Sequence, residues 1–323
     1  MEEKKEKIDE VCKKEDKPVT IEAIPYRGSN LDEYTTELKK TGITELATFM
    51  NICDNPVGKV HTAPISIAHL IKNSLGITPI VHITCKNSTL SSIQRRFLGL
   101  DALGINNLLI VSGDGPIGDY RNEYTPSYMN SINLIKGIKD HLNQGKLIPD
   151  YSNRRYVKEN TNQIDDKIEN FEIENNTDFT VGGVIIPERK GELEYAKNKI
   201  ECGVDFFQTQ IVYDKYHICS FIEDLDAEVK NCPPILLGVR PISSYEEIKF
   251  IADNIPQVKV PESQLKEIRN TEDVKEFSAD MILEIINFVY DNIERNTSGV
   301  ELGIHIIPGN NYEITKKIIE EIN

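Results

Sequence analysis

Short apolar runs alternate along this chain with longer stretches in which apolar residues recur at helical spacing, the pattern that repeated βα units produce. The runs predict strands over Val19–Ile24, Leu46–Ile52, Pro79–Thr84, Asn107–Ser112, Phe179–Ile185, Asp205–Gln210, Ile235–Val239 and Glu301–Ile306. The amphipathic stretches predict helices over Leu31–Lys40, Pro64–Leu75, Leu90–Leu103, Tyr128–Leu142, Leu193–Cys202, Tyr216–Lys230, Ser243–Asn254 and Tyr312–Ile322. Near-continuous apolar runs are expected of parallel strands covered on both faces. Eight strands, each followed by a helix, is the count of a (β/α)8 barrel of the TIM type; a doubly wound open sheet uses the same units and differs in strand order.

Two segments interrupt the rhythm. Residues 143–178 include the polar stretch NRRYVKENTNQIDDKIENFEIENNTD, which predicts an insertion between helix 4 and strand 5, and residues 262–295 add a helical pair before strand 8. The organisation expected is a charged N-terminal extension over residues 1–17 and one barrel domain over 18–323. A barrel needs about 250 residues, so 323 suffice for one elaborated domain.

Bulk properties narrow the class. No stretch approaches the roughly 18 consecutive apolar residues of a membrane span. MEEKKEKIDEVCKKEDK lacks the apolar run of a signal peptide, which predicts a cytoplasmic chain. Cys12, Cys53, Cys85, Cys202, Cys219 and Cys232 are scattered without metal-ligand spacing, so reduced thiols and no metal site are expected. A formal charge of −15 opposes binding to nucleic acid or to an anionic membrane.

Barrel enzymes carry their chemistry where the strands end, so the polar residues that close each run are the informative ones. Strand 1 closes on Glu22, strand 2 on NICDNP (51–56), strand 3 on His82-Ile-Thr84-Cys85, strand 4 on Ser112-Gly-Asp114-Gly-Pro116 and strand 6 on Gln208-Thr-Gln210. Each has a plain structural alternative: a solvated carboxylate for Glu22, a satisfied core histidine for His82, a turn-stabilising side chain for Asp114, a backbone cap for Gln210. Their convergence on one rim favours chemistry. Gly113 to Gly118 also spells GxGxxG, but the polar segment that follows lacks helical periodicity and meets Pro126, so no helix N-terminus is available for a pyrophosphate.

Taken in order, IEAIPYR (21–27), FMNICDNP (49–56), VHITC (81–85), LLIVSGDGP (108–116) and KIECGVDFFQTQIVYD (199–214) resemble the strand-end segments of methylenetetrahydrofolate reductases over about residues 18–320. The resemblance implies a (β/α)8 barrel that binds FAD, takes electrons from NAD(P)H and reduces methylenetetrahydrofolate or a related pterin carrier, in one-carbon and methionine metabolism. It implies Glu22 as general acid and Asp114 as a catalytic residue near flavin and pterin. Gln210 and Asn311 fall at substrate positions, and Cys53, His82, Gly113, Asp114, Gly182, Gly183, Glu192 and Lys199 at flavin positions. It further implies homo-oligomerisation. The chain departs from the pattern with Cys53 for a threonine, Ser112 for an arginine, and Ile307 and Asn311 for a tyrosine and an arginine. These departures motivate the alternative of a barrel subunit that works with an electron-transfer partner protein.

Overall fold

The computed structural model describes residues 6–24, 26–85, 88–113, 130–149 and 172–322. Among them the strands β1 (Val19–Glu22), β2 (Phe49–Ile52), β3 (Thr78–Thr84), β4 (Asn107–Val111), β5 (Thr180–Ile185), β6 (Phe206–Thr209), β7 (Ile235–Val239) and β8 (Leu302–Ile306) pair in parallel in chain order. β8 pairs with β1 through Val19↔Ile304, Thr20↔His305 and Ile21↔Ile306, which closes the ring and excludes the open sheet.

The helices that cover the ring follow the sequence pattern closely. They are α2 (Leu31–Lys40), α3 (Pro64–Leu70), α4 (Leu90–Ala102), α5 (Ser131–Asp140), α6 (Glu192–Glu201), α7 (Lys215–Glu228), α8 (Tyr245–Asn254), α9 (Glu262–Asn270), α10 (Val274–Asn296) and α11 (Tyr312–Ile322). Side-chain caps set several starts: the Asn30, Thr89, Asn130 and Ser244 side chains each accept from the backbone N–H three residues on. The predicted helix over 64–75 changes to a π turn at Ile71–Leu75 and stops at Gly76, whose φ of 69° favours glycine. The predicted pair over 262–295 is α9 and α10.

Of the expected insertion over 143–178, residues 150–171 lie outside the described residues, and the flanks are tied at their base. The Asn143 carboxamide oxygen accepts from Thr177 Oγ1 at 2.8 Å and from Phe179 N at 3.1 Å, and Lys146 bridges Glu172.

The charged extension has a structural task that its composition conceals. Its short helix α1 (Ile8–Cys12) presents Ile8 and Cys12, at helical i,i+4 spacing, to the N-terminal end of the barrel. There they join Phe49, Ile80, Leu109, Phe206 and Leu236 in one apolar cluster. Two glycines make the space. A Cβ on Gly303 would lie 2.6 Å from Leu236 Cδ2 and 3.3 Å from Cys12 Sγ, and one on Gly182 would lie 2.2 Å from Phe206 Cζ. Hydrogen bonds from Ile8 N to Asn107 Oδ1 (3.0 Å) and from Asn107 Nδ2 to Glu6 O (2.9 Å) hold the plug in place. Because Ile8 is fully buried, Ile8→Ala is expected to cost about 2–4 kcal/mol, read as a lower urea midpoint with an unchanged denaturant slope; a midpoint within error of the parent would show that the plug adds nothing to barrel stability.

Candidate active site

Above the apolar floor lies a polar layer drawn from neighbouring strands. Asn51 of β2 is fully buried, with His82 of β3 on one side and Thr20 of β1 and His305 of β8 on the other. His82 Nε2 lies 3.0 Å from the Asn51 amide oxygen, and the Asn51 amide nitrogen lies 3.1 Å from Thr20 Oγ1 and 3.2 Å from His305 Nδ1. Thr20 Oγ1 reaches the same Nδ1 at 2.9 Å. In this arrangement His82 donates through Nε2–H, and His305 accepts at Nδ1 from two donors. Both rings are held neutral: burial lowers His82 to about 4, and burial with the nearby His82 ring lowers His305 to about 3.

The next layer carries the ionisable chemistry. Glu22 closes β1, and Cys53 just past β2 donates its thiol proton to Glu22 Oε2 at 3.0 Å. Burial pushes the Glu22 carboxyl above its ordinary range, against the opposing influences of the Cys53 hydrogen bond and the Arg240 cation. The neighbouring Asp54 clamps the loop: its Oδ2 accepts from Thr84 Oγ1 (2.7 Å), Thr84 N (3.2 Å) and Arg96 Nη1 (3.1 Å). Gly113, two residues past β4, has φ 81°, where L side chains are strained, so the backbone turns there without a side chain in the way. Asp114 lies outside the described residues.

The remaining predicted positions are placed differently. Gln210 accepts from Ile211 N with its own carboxamide oxygen at 3.0 Å, which leaves its amide hydrogens for a pocket lined by Glu188, Tyr213, His217, Gln257 and Lys259. Asn311 spends its amide on Pro241 O (3.0 Å) and on both Glu247 oxygens (3.2 Å each), tying the loops after β7 and β8 together. Around β5 the assigned groups build the wall. Gly182 yields room to Phe206, and a Cβ on Gly183 would lie 3.1 Å from Lys199 Cδ. The buried Lys199 ammonium donates to Val184 O, and burial lowers it to about 8. Glu192 accepts from Ile186 N at 3.0 Å and from Arg189 Nε. Among the predicted residues the structure places Glu22, Cys53, His82 and Gly113 along the ends of β1 to β4, with Gln210 directly after β6.

Sequence reasoning missed three groups. Thr20 and His305 sit mid-strand, where nothing in a linear pattern distinguishes an inward polar residue from a tolerated one. Arg240 follows β7 directly in the stretch GVRP, and the strand-end rule that selected Glu22 would have found it.

The two neutral histidines give this site a pH signature. An unfolded chain protonates His82 and His305 near 6.5, whereas the folded barrel resists until about 4 and about 3. Their contribution to stability is complete above 6.5 and is lost as pH falls toward those values, at up to about 2.7 kcal/mol per pH unit for two protons. In 15N-imidazole NMR, both rings should stay neutral down to pH 5, with His82 as the Nε2–H tautomer; titration of either ring near pH 6.5 would contradict the buried network.

Comparison with known proteins agrees with this architecture. The family model described as methylenetetrahydrofolate reductase matches residues 7–323. An Arabidopsis thaliana methylenetetrahydrofolate reductase (NADH) is 26% identical over 203 residues, 62% of this chain and 31% of that protein. A probable methylenetetrahydrofolate reductase (NADPH) of Caenorhabditis elegans is 22% identical over 265 residues, 81% of this chain and 34% of that protein. The chain thus spans about a third of the length of these relatives. A solved Clostridium thermocellum protein that binds two copies of 5-methyl-5,6,7,8-tetrahydrofolic acid shares the fold, with a TM-score of 0.64, 17% identity and 98% of each chain covered. With its barrel closed, its strand ends in order and the family model matched from residue 7 to residue 323, the chain belongs to the methylenetetrahydrofolate reductase family.

Proposed function

We propose that this chain is a flavin-dependent reductase that converts a methylene-pterin, methylenetetrahydrofolate or a related carrier, into its methyl form within one-carbon metabolism. The observation that carries this reading is Glu22, a carboxyl group at the end of β1 whose burial favours the protonated state. A carboxylic acid whose burial favours the protonated form can supply the proton that opens the methylene ring. Its proton goes to one ring nitrogen, the bond from that nitrogen to the methylene carbon breaks, and an iminium remains on the other nitrogen. The iminium carbon then accepts a hydride and becomes the methyl group, and the Glu22 carboxylate regains a proton from solvent. The Cys53 thiol, bonded to Oε2, orients the carboxyl so that its other oxygen can face the substrate.

The strand ends of β2 to β4 fit a flavin better than those of β5. Gly113 offers backbone at close approach, and His82 keeps its Nδ1 without a protein partner among the described residues. Cys53, His82, Gly113 and the adjoining Asp114 would hold the ring, whereas Gly182, Gly183, Glu192 and Lys199 would act by shaping the wall behind it. FAD, when bound, supplies the hydride and is recharged by a nicotinamide or by a protein donor. Gln210, whose amide hydrogens have no partner among the described residues, is suited to a pterin carbonyl. The Clostridium thermocellum neighbour, which binds 5-methyl-5,6,7,8-tetrahydrofolic acid, supports the ligand class.

The purified protein should be yellow, and its flavin should bleach with a competent donor. Glu22→Gln should leave that bleaching intact and cut methylene-pterin reduction by roughly 10²–10⁴-fold; equal loss of both half-reactions would refute the role of Glu22. Because the protonated form does the work and its pKa is raised, parent activity should be full on the acid side of that value and fall as pH rises through it.

A further inference from the structure

We infer that Arg240 is an anion subsite of the mouth that takes a carboxylate of the substrate's tail and, when filled, leaves Glu22 free to keep its proton. The inference rests on the methylene-pterin reading for the identity of the tail.

The guanidinium of Arg240 has fewer acceptors than donors among the described residues. Arg240 directly follows β7, and its backbone carbonyl accepts from Tyr213 Oη at 3.2 Å. Its side chain passes over the loop after β8, where a Cβ on Gly309 would lie only 3.0 Å from Nη2, so glycine leaves the guanidinium its place. Guanidinium has five N–H donors. Among the described residues its acceptor is Glu247 Oε1, 3.4 Å from Nη2, and Nε is buried with no acceptor at all. Glu247 cannot do more. Its Oε2 already accepts from Ser243 N (2.9 Å), Ser243 Oγ (3.1 Å) and Asn311 Nδ2 (3.2 Å), and Asn311 also reaches Oε1. The Arg240 side chain is 24% exposed as a whole, and leaving its one buried N–H without an acceptor is costly. A planar carboxylate, which accepts two parallel N–H bonds, is the acceptor that a guanidinium fork matches. Methylenetetrahydrofolate carries such carboxylates on its p-aminobenzoylglutamate tail.

The link to Glu22 is electrostatic. β8 lies between β7 and β1 in the ring, so Arg240 acts across one strand. Among the described residues the groups around Glu22 are few. Cys53 from β2 donates to it, and His82 from β3 and His305 from β8 are neutral. Burial raises Tyr34 of α2, and raises Tyr312 of α11 to about 12, so both phenols are neutral too. Asp54 is paired with Arg96, and Glu247 already sits beside Arg240. Arg240 is the cation that opposes protonation of Glu22. A carboxylate docked on it cancels that opposition, so the general acid is charged with its proton when the tail is in place.

The probe is p-aminobenzoylglutamate, the tail without the pterin, with Glu22 followed by carboxyl 13C NMR. In the parent chain the Glu22 midpoint should rise on adding the probe. In Arg240→Gln it should start higher, show no further rise, and bind the probe at least tenfold more weakly. Arg240→Lys, which keeps the charge without the fork, should keep the lower starting midpoint and still bind weakly, which separates recognition from misfolding. A parent midpoint unmoved by bound probe, or unchanged probe affinity in Arg240→Gln, would overturn the inference. Neither readout needs flavin or turnover. A chain that binds the tail through Arg240 but reduces no methylene-pterin would sink the functional reading alone, whereas reduction of methylenetetrahydrofolate with unchanged KM in Arg240→Gln would sink this one alone.

Discussion

A closed ring of parallel strands has an inside, and every second residue of every strand must fill it. In this protein that requirement sorts the interior into tiers. At the N-terminal end it is met by Phe49, Ile80, Leu109, Phe206 and Leu236, sealed from below by Ile8 and Cys12. In the middle it is met by Thr20, Asn51, His82 and His305, which hydrogen-bond one another and stay uncharged, with His305 Nε2 buried and without a partner among the described residues. Above them stand Glu22 and Cys53. The ionisable group is thus supported on a layer that is polar but carries no charge, so burial can raise its pKa against only the Cys53 hydrogen bond and the Arg240 cation.

The proton on Glu22 is a balance of three influences, and their sources differ in kind. Burial is a property of the whole barrel and favours the acid. The Cys53 thiol is a neighbour by register, placed by the pairing of β1 with β2. Arg240 is a neighbour by closure, brought near only because β8 returns to β1. Burial and the Cys53 bond are constant features of the fold, and the third influence can be neutralised by a ligand. Substrate arrival can therefore bear on the protonation state of the acid that the substrate needs.

Much of this was legible beforehand, for a local reason. Strands covered on both faces must be apolar along their length, so β7 is found at Ile235–Val239 as predicted and the other strands within a few residues. β2 starts at Phe49 and not at Leu46 because Ile43–Glu45 form a 3₁₀ turn first. Glu22 was identifiable because a carboxyl group ending an apolar run points to the mouth. Lys199 and Glu192 fall at flavin positions by resemblance, and a linear pattern does not show which way a helix side chain turns. Here Lys199 caps Val184 and Glu192 holds Ile186 and Arg189.

The sequence by itself determined the alternation of strand and helix, the apolar faces that pack them and the polar residues at each strand end, because periods of 2 and 3.6 residues are local properties of the chain. Only the tertiary structure decided which of those residues meet. The register between strands and the closure of β8 on β1 set Cys53 against Glu22, stacked Asn51 between two histidines, and engaged Asn311 with Glu247. They also turned a charged leader into the floor of the barrel and left Arg240, just past the end of β7, with an Nε–H unanswered among the described residues. None of these pairings has a fixed spacing in sequence, since each depends on distances that exist only once the ring is closed.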